Sequence, residues 1–202
     1  MSLSLDPRTT ALVLIDLQQG VLSMPLSPYG APQIIERSVR LGRRIRDAGG
    51  IVVLVNVAFA SGFADRLNLP VDAPQPAAPG GLPPDWSEFA PEVAALPGDV
   101  LVTKRQWGAF HGTELDLQLR RRGITTIVLG GIATNFGVES TAREAWQHNY
   151  AVVIANDACT SIGPEMHQFA IEKIFPRLAR IRSTEQILAA LPAGSGPATP
   201  PV

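Results

Sequence analysis

The sequence predicts an α/β fold: a three-layer α/β/α sandwich around a mostly parallel, Rossmann-like sheet of about six strands. Three observations lead there. Strand-length apolar runs alternate with helix-length patterned runs along the chain. The first run, Thr10 to Asp16, is apolar until it ends in an acid, and Pro32 and Gly49-Gly50 bracket a helical stretch. A strand that is apolar on both faces needs helices above and below it, as in parallel sheets.

The elements follow in order. After the first strand, apolar residues at Ile34, Ile35, Val39, Leu41 and Ile45 mark a helix opened by Pro32 and closed by the two glycines. Ile51 to Val57 is the second strand, Asp99 to Lys104 the third, Ile124 to Gly130 the fourth, Ala151 to Asn156 the fifth and Ala179 to Arg182 a short sixth. Helices are expected at Gly112 to Arg122, Gly137 to Asn149, Pro164 to Phe175 and near Thr184 to Ala190. The series is βαβ throughout, and it has no internal repeat.

Two regions break the rhythm. Residues 58–98 carry prolines at 70, 74, 76, 79, 83, 84, 91 and 97, too many for regular structure. This long segment leaves the carboxyl end of a strand, where open α/β sheets bind ligands, and it is read as a lid or subunit contact. Residues 192–202, rich in Pro, Gly, Ala, Ser and Thr, read as a disordered tail after one domain spanning 1–191.

Composition narrows the partners. Seventeen basic against eighteen acidic residues leave a net charge of −1. No basic block recommends a nucleic acid or an anionic membrane, and a small molecule is the expected partner. The opening stretch Met1 to Pro7 has no basic region, apolar run or cleavage site, and no segment approaches the ~20 apolar residues of a membrane span. A soluble, cytoplasmic protein is expected. The single cysteine, Cys159, fits a reducing compartment and reads as a buried small hydrophobe.

Three residues from distant parts of the sequence should converge at the carboxyl edge of the sheet. Asp16 ends the first strand, Lys104 ends the third, and Gly137 opens the helix after the fourth. An acid at a buried strand end needs a partner, and Lys104 is the natural one. Trp107, Phe110 and Phe136 are candidate pocket walls, and Arg66 is a candidate substrate-binding residue from the long segment. His111 could border the pocket, while His148 and His167 are expected at the surface. The three histidines lack metal-ligand spacing, and neither a metal nor a cofactor is expected.

These residues resemble the isochorismatase-like hydrolases, which include isochorismatases and cysteine amidases such as nicotinamidase. The resemblance covers about residues 8 to 190. It rests on Leu14-Ile15-Asp16-Leu17-Gln18, on Thr103 through Thr113, on Leu119-Arg120-Arg121-Arg122-Gly123, on Gly130 through Gly137 and on Asn156-Asp157-Ala158-Cys159. In the amidase branch the resemblance implies an Asp, Lys and Cys set, with Asp16 and Lys104 matching the first two and Gly137 occupying the third. Glycine cannot form a thioester, which disfavours covalent amide hydrolysis. The isochorismatase branch has a similar Asp and Lys arrangement with glycine at the cysteine position, and it implies acid catalysis on an enol ether by Asp16, balanced by Lys104. True isochorismatases also have a glutamine after strand two, where this chain has Val55-Asn56-Val57-Ala58-Phe59.

The resemblance implies further a cis peptide bond between Ile132 and Ala133. The amides of Ala133, Phe136 and Gly137 would then hold an oxyanion or carboxylate. It implies a homo-oligomer, a dimer or higher. The expected function is hydrolysis of a small carboxylated molecule by cysteine-independent Asp/Lys acid catalysis. The alternatives are a ligand-binding pseudoenzyme derived from the amidases and a mainly structural oligomer subunit.

Overall fold

The computed structural model describes residues 3–74 and 80–192; residues 193–202 of the expected tail and 75–79 of the long segment lie outside the described residues. Six strands form one all-parallel sheet: β1 (Thr10–Ile15), β2 (Ile51–Val57), β3 (Val100–Lys104), β4 (Thr126–Ile132), β5 (Ala151–Thr160) and β6 (Arg180–Arg182). Their order is β3-β2-β1-β4-β5-β6. The chain winds outward from β1 in one direction and from β4 in the other. The carboxyl ends of β1 and β4 therefore flank the crevice where such sheets bind ligands.

Among the described residues, six α-helices accompany the strands: α1 (Gln19–Leu22), α2 (Ala31–Asp47), α3 (Leu115–Arg121), α4 (Glu139–Gln147), α5 (Pro164–Phe169) and α6 (Thr184–Ala190). Alternation along β1 divides the core into two layers. Ala11, Val13 and Ile15 share a cluster with Leu115 and Leu119 of α3 and Ala142 and Ala145 of α4. Leu12 and Leu14 share the other with Ile34, Leu41 and Ile45 of α2 and Ile187 of α6. A central parallel strand thus needs apolar residues on both faces, as β1 has from Ala11 to Ile15.

Several boundaries differ from the sequence reading. β5 runs on to Thr160 because a register shift between Leu129 and Gly131 lets Cys159 and Thr160 pair with Gly131 and Ile132 beyond the polar Asn156-Asp157. The helix expected from Gly112 starts three residues later, after a turn in which the Thr113 hydroxyl donates to the Ala109 carbonyl at 2.5 Å. The helix expected over 164–175 divides into α5, a wide turn at Ala170–Ile174 and a tight one at Phe175–Arg177, where Pro176 cannot continue it.

Candidate active site

Asp16 follows the last residue of β1 with φ at 54°, a left-handed conformation that few non-glycine residues adopt and Asp tolerates better than most. Its amide extends the ladder, donating to the Val55 carbonyl at 2.8 Å. Its side chain meets Lys104 from the end of β3, whose Nζ donates to Oδ2 of Asp16 at 2.7 Å. Because β2 lies between β3 and β1, a long side chain is needed to bridge the gap. Lys104 is 2% exposed and Asp16 6%. The lysine also donates to the Gln106 carbonyl at 3.1 Å.

Burial pushes the Asp16 carboxyl up to about 6, against the opposing pull of the Lys104 charge and hydrogen bond. Oδ1, the second carboxyl oxygen, is buried and makes no hydrogen bond among the described residues. The pair thus has a positive partner on one oxygen and an unused acceptor on the other. Such a carboxyl can exchange a proton near neutral pH.

The turn after β4 meets this pair from the other side of the crevice. At Gly131 φ is 119°, and a Cβ would lie 2.1 Å from the Ile15 carbonyl oxygen, so only glycine fits. The Ile132–Ala133 peptide is cis, as the family resemblance implies. A wide π-type turn, Thr134–Val138, then leads into α4. Gly137 is buried within it, and a carbon built on its Cα would lie 3.3 Å from Oδ2 of Asp16. The Gly137 carbonyl accepts from the Thr141 hydroxyl at 2.7 Å, and that hydroxyl accepts from the Ala109 amide at 3.1 Å. These bonds tie the turn to the loop after Lys104.

Other candidates fall into two groups. The Trp107 and Phe136 rings lie 4.8 Å apart, joining the loop after β3 to the turn. Ile132 is buried at the end of β4, and Ala133 is half-buried beside it. The Phe136 amide donates to the Ala133 carbonyl at 3.1 Å, so it belongs to the turn and is not a free anion donor. Phe110 does not wall the crevice; it is buried with its ring against His148 and Tyr150, where its aromatic area fills the core. Arg66 stays with its own segment, its guanidinium 5.8 Å from the Phe63 ring centre.

Among the histidines, His111 and His148 are exposed, but His167 is buried, contrary to the surface position expected. It faces inward from α5. Its Nδ1 lies 2.8 Å from the Thr134 hydroxyl, and its ring meets Tyr29 edge-on. Cys159 is fully buried with its thiol pushed up to about 12 by burial. Among the described residues, no three His, Cys, Asp or Glu side chains are grouped to hold a metal. No helix among them is long and apolar enough to cross a membrane.

Sequence reasoning missed the role of Gln18. This residue is fully buried, donates to the Val57 and Trp86 carbonyls at 3.0 Å each, and accepts from the Val57 amide at 2.8 Å. It therefore joins β1, β2 and the long segment at the edge of the crevice. Asn56 adds a second tie, donating to the Ser87 carbonyl at 2.9 Å. The available signal was a lone glutamine two residues beyond a buried strand, where an unpartnered amide would be costly. Two surface clefts lie apart from this centre. One of about 600 Å³ is at the amino edge of the sheet by Trp146 and Arg180, and one of about 280 Å³ is between α2 and Pro91–Val93.

A doubly wound parallel sheet with a buried acid, a lysine and a glycine-rich turn at its switch point defines an α/β hydrolytic enzyme scaffold. The signature of the Isochorismatase domain matches residues 10–186, and the chain belongs to that family of hydrolases. It is 49% identical over 189 residues to the isochorismatase family protein YecD of Escherichia coli O157:H7, covering 94% of this chain and all of that one. A solved isochorismatase family protein from Burkholderia thailandensis is 44% identical and superposes with a TM-score of 0.88, over 95% of this chain and 99% of that one. The ureidoacrylate amidohydrolase RutB of Methylobacterium radiotolerans is 32% identical over 206 residues, covering 85% of this chain and 75% of that one.

Proposed function

We propose that the protein hydrolyses a small carboxylated enol ether by acid catalysis from Asp16, with Lys104 balancing the charge and no cysteine taking part. The observation that carries this reading is the buried 2.7 Å Asp16–Lys104 contact beside a residue with no side chain. In this reading the glycine at 137 stands where cysteine hydrolases of the family hold their nucleophile. A carboxyl raised by burial retains a proton to donate. Protonation of the enol ether methylene carbon gives an oxocarbenium centre, which water then captures. The substrate carboxylate would raise the Asp16 carboxyl further, since a nearby anion disfavours a second one. Trp107 and Phe136 would flank the substrate, and the amides of Ala133 and Gly137 would face its carboxylate. Arg66 would reach it if the segment over residues 58–98 closes as a lid.

The test is a mass-spectrometric screen of small carboxylated enol ethers and amides with wild type and Asp16→Asn. The reading expects enol ethers to be consumed by wild type and to persist with the variant. Consumption of amides alone would overturn it. The proposal includes assembly into a homo-oligomer, supported by the exposed Trp146 of α4 and Met166 and Phe169 of α5. Sedimentation velocity decides that part. The reaction is placed in the reducing cytoplasm, with which a lone unpaired cysteine is compatible.

A further inference from the structure

The proposed mechanism leaves one buried titratable side chain of the crevice region unused. His167 of α5 is 7% exposed, and its Nδ1 lies 2.8 Å from the hydroxyl of Thr134, the first residue of the turn after β4. A hydroxyl beside an imidazole is the arrangement of a nucleophile and its base. Burial rules that role out here: Thr134 is fully buried, so its oxygen is closed to a substrate carbonyl. What remains is a contact that acts through the backbone.

The order of the strands shows what the contact holds. β4 lies between β1 and β5, so the turn after β4 has Asp16 on one side and the end of β5 on the other. Its polar side chains are anchored on the β5 side: Thr134 at His167, and Asn135 at Ser161, whose hydroxyl donates to Oδ1 of the asparagine. Gly137 stands on the Asp16 side, where a carbon built on its Cα would lie 3.3 Å from Oδ2. Anchoring the one side fixes where the backbone of the other sits.

His167 is tied in turn to the same strand end. Its ring lies edge-on to Tyr29 with centres 5.9 Å apart, and the Thr160 hydroxyl donates to the Tyr29 carbonyl at 2.7 Å. Thr160 pairs with Ile132, two residues before Thr134, so the contacts close a circuit around the start of the turn. Burial lowers the His167 pKa, and a neutral ring bonds a hydroxyl in either tautomer.

We propose that His167 is a positioning residue: through the Thr134 hydroxyl it aims the turn after β4, so that the amides of Ala133 and Gly137 meet the substrate carboxylate beside Asp16. This rests on the proposed reading of those amides and deepens it by naming what directs them. A misplacement of about 1 Å at such a site costs about a hundredfold in rate, so an indirect contact can matter.

The test compares a carboxylated enol ether with its methyl ester, using wild type, Thr134→Val, His167→Leu and the double variant. On the acid, each single variant should lose about tenfold or more in kcat/KM, and the double variant should lose no more than about threefold beyond either, because the two residues act as one unit. On the ester, which offers no carboxylate to the amides, each loss should stay within about threefold. His167→Asn, which keeps a polar amide atom near the place of Nδ1, should recover most of the activity on the acid. Equal losses on acid and ester would mark plain structural damage and overturn the proposal. So would single-variant losses on the acid within about threefold, or a double loss equal to the product of the singles. Should His167→Leu fail to fold, Thr134→Val and His167→Asn carry the same comparison. If wild type consumes no enol ether, the enol ether reading falls, and calorimetric titration with pyruvate, a small carboxylate, decides the role of His167. Wild type should then bind pyruvate and Thr134→Val should bind it about tenfold more weakly, whereas equal affinity, or no binding by wild type, would overturn the proposal.

Discussion

The chain has one cysteine, and it does not occupy the position where the proposed reading sets the nucleophile of the family's cysteine hydrolases. Cys159 pairs with Gly131 across β4 and β5, in the core, with its thiol nearest a backbone carbonyl and pushed up to about 12. Gly137 lies six residues beyond that glycine, beside the Asp16 carboxylate and at the start of a helix. The two positions differ in surroundings more than in distance along the fold. A thiol in dry core has nothing to stabilise its thiolate, whereas one beside a lysine-paired carboxyl and a helix N-terminus does. In the proposed reading, reactivity belongs to the position, and the residue placed there selects which reaction follows.

The strongest way to break the comparison is to remove the acid. Asp16→Asn keeps the shape and should lower kcat on enol ethers by about 10² to 10⁴, the usual worth of a positioned acid, measured by steady-state kinetics. Gly137→Cys sharpens it: iodoacetamide at neutral pH should label residue 137 in the folded protein and leave Cys159 unlabelled until denaturant is added, read by peptide mass spectrometry. Labelling of Cys159 first would invert the comparison.

The pH dependence is a smaller effect with a definite sign. Since burial holds the folded Asp16 carboxyl near 6 against 3.8 in the reference state, the native form binds more protons between those values. Its contribution to stability is present in full at low pH and is lost as pH rises through about 6. Urea titrations of wild type minus Asp16→Asn should show that loss. kcat/KM should fall above the same pH, about tenfold per unit once the free enzyme's acid is ionised, and kcat should fall only at a higher pH, where the substrate carboxylate has raised the acid. Gln18→Ala should destabilise the protein by about 1 to 3 kcal/mol, because it removes the side-chain partner of the Val57 amide and carbonyl and one of the two donors to the Trp86 carbonyl. Cys159→Ala should cost about 1 kcal/mol of packing and leave kcat unchanged.

Much of this was legible in the sequence, for identifiable reasons. β1 and α6 match their expected spans within a residue: a doubly buried strand is an unbroken apolar run, here Ala11 to Ile15, and in the structure the Ser183 side chain caps the start of the helix. Asp16 and Lys104 could be paired because each ends a strand and neither can be buried alone. What periodicity could not show was direction. Phe110 and His167 sit in loops or short helices where the sequence gives no face, so Phe110 was expected in the crevice and His167 at the surface. α1, four residues long, is too short for any pattern to register. The Phe136 amide was expected to be free because the internal bonds of a turn are invisible until its geometry is known.

The most direct test of the proposed chemistry is one kinetic comparison: hydrolysis of carboxylated enol ethers by wild type, Cys159→Ala and Asp16→Asn under the same conditions. Wild type and Cys159→Ala should turn over alike, and Asp16→Asn should be slower by about 10² to 10⁴. Loss of activity in Cys159→Ala, or full activity in Asp16→Asn, would contradict a cysteine-independent reaction driven by Asp16.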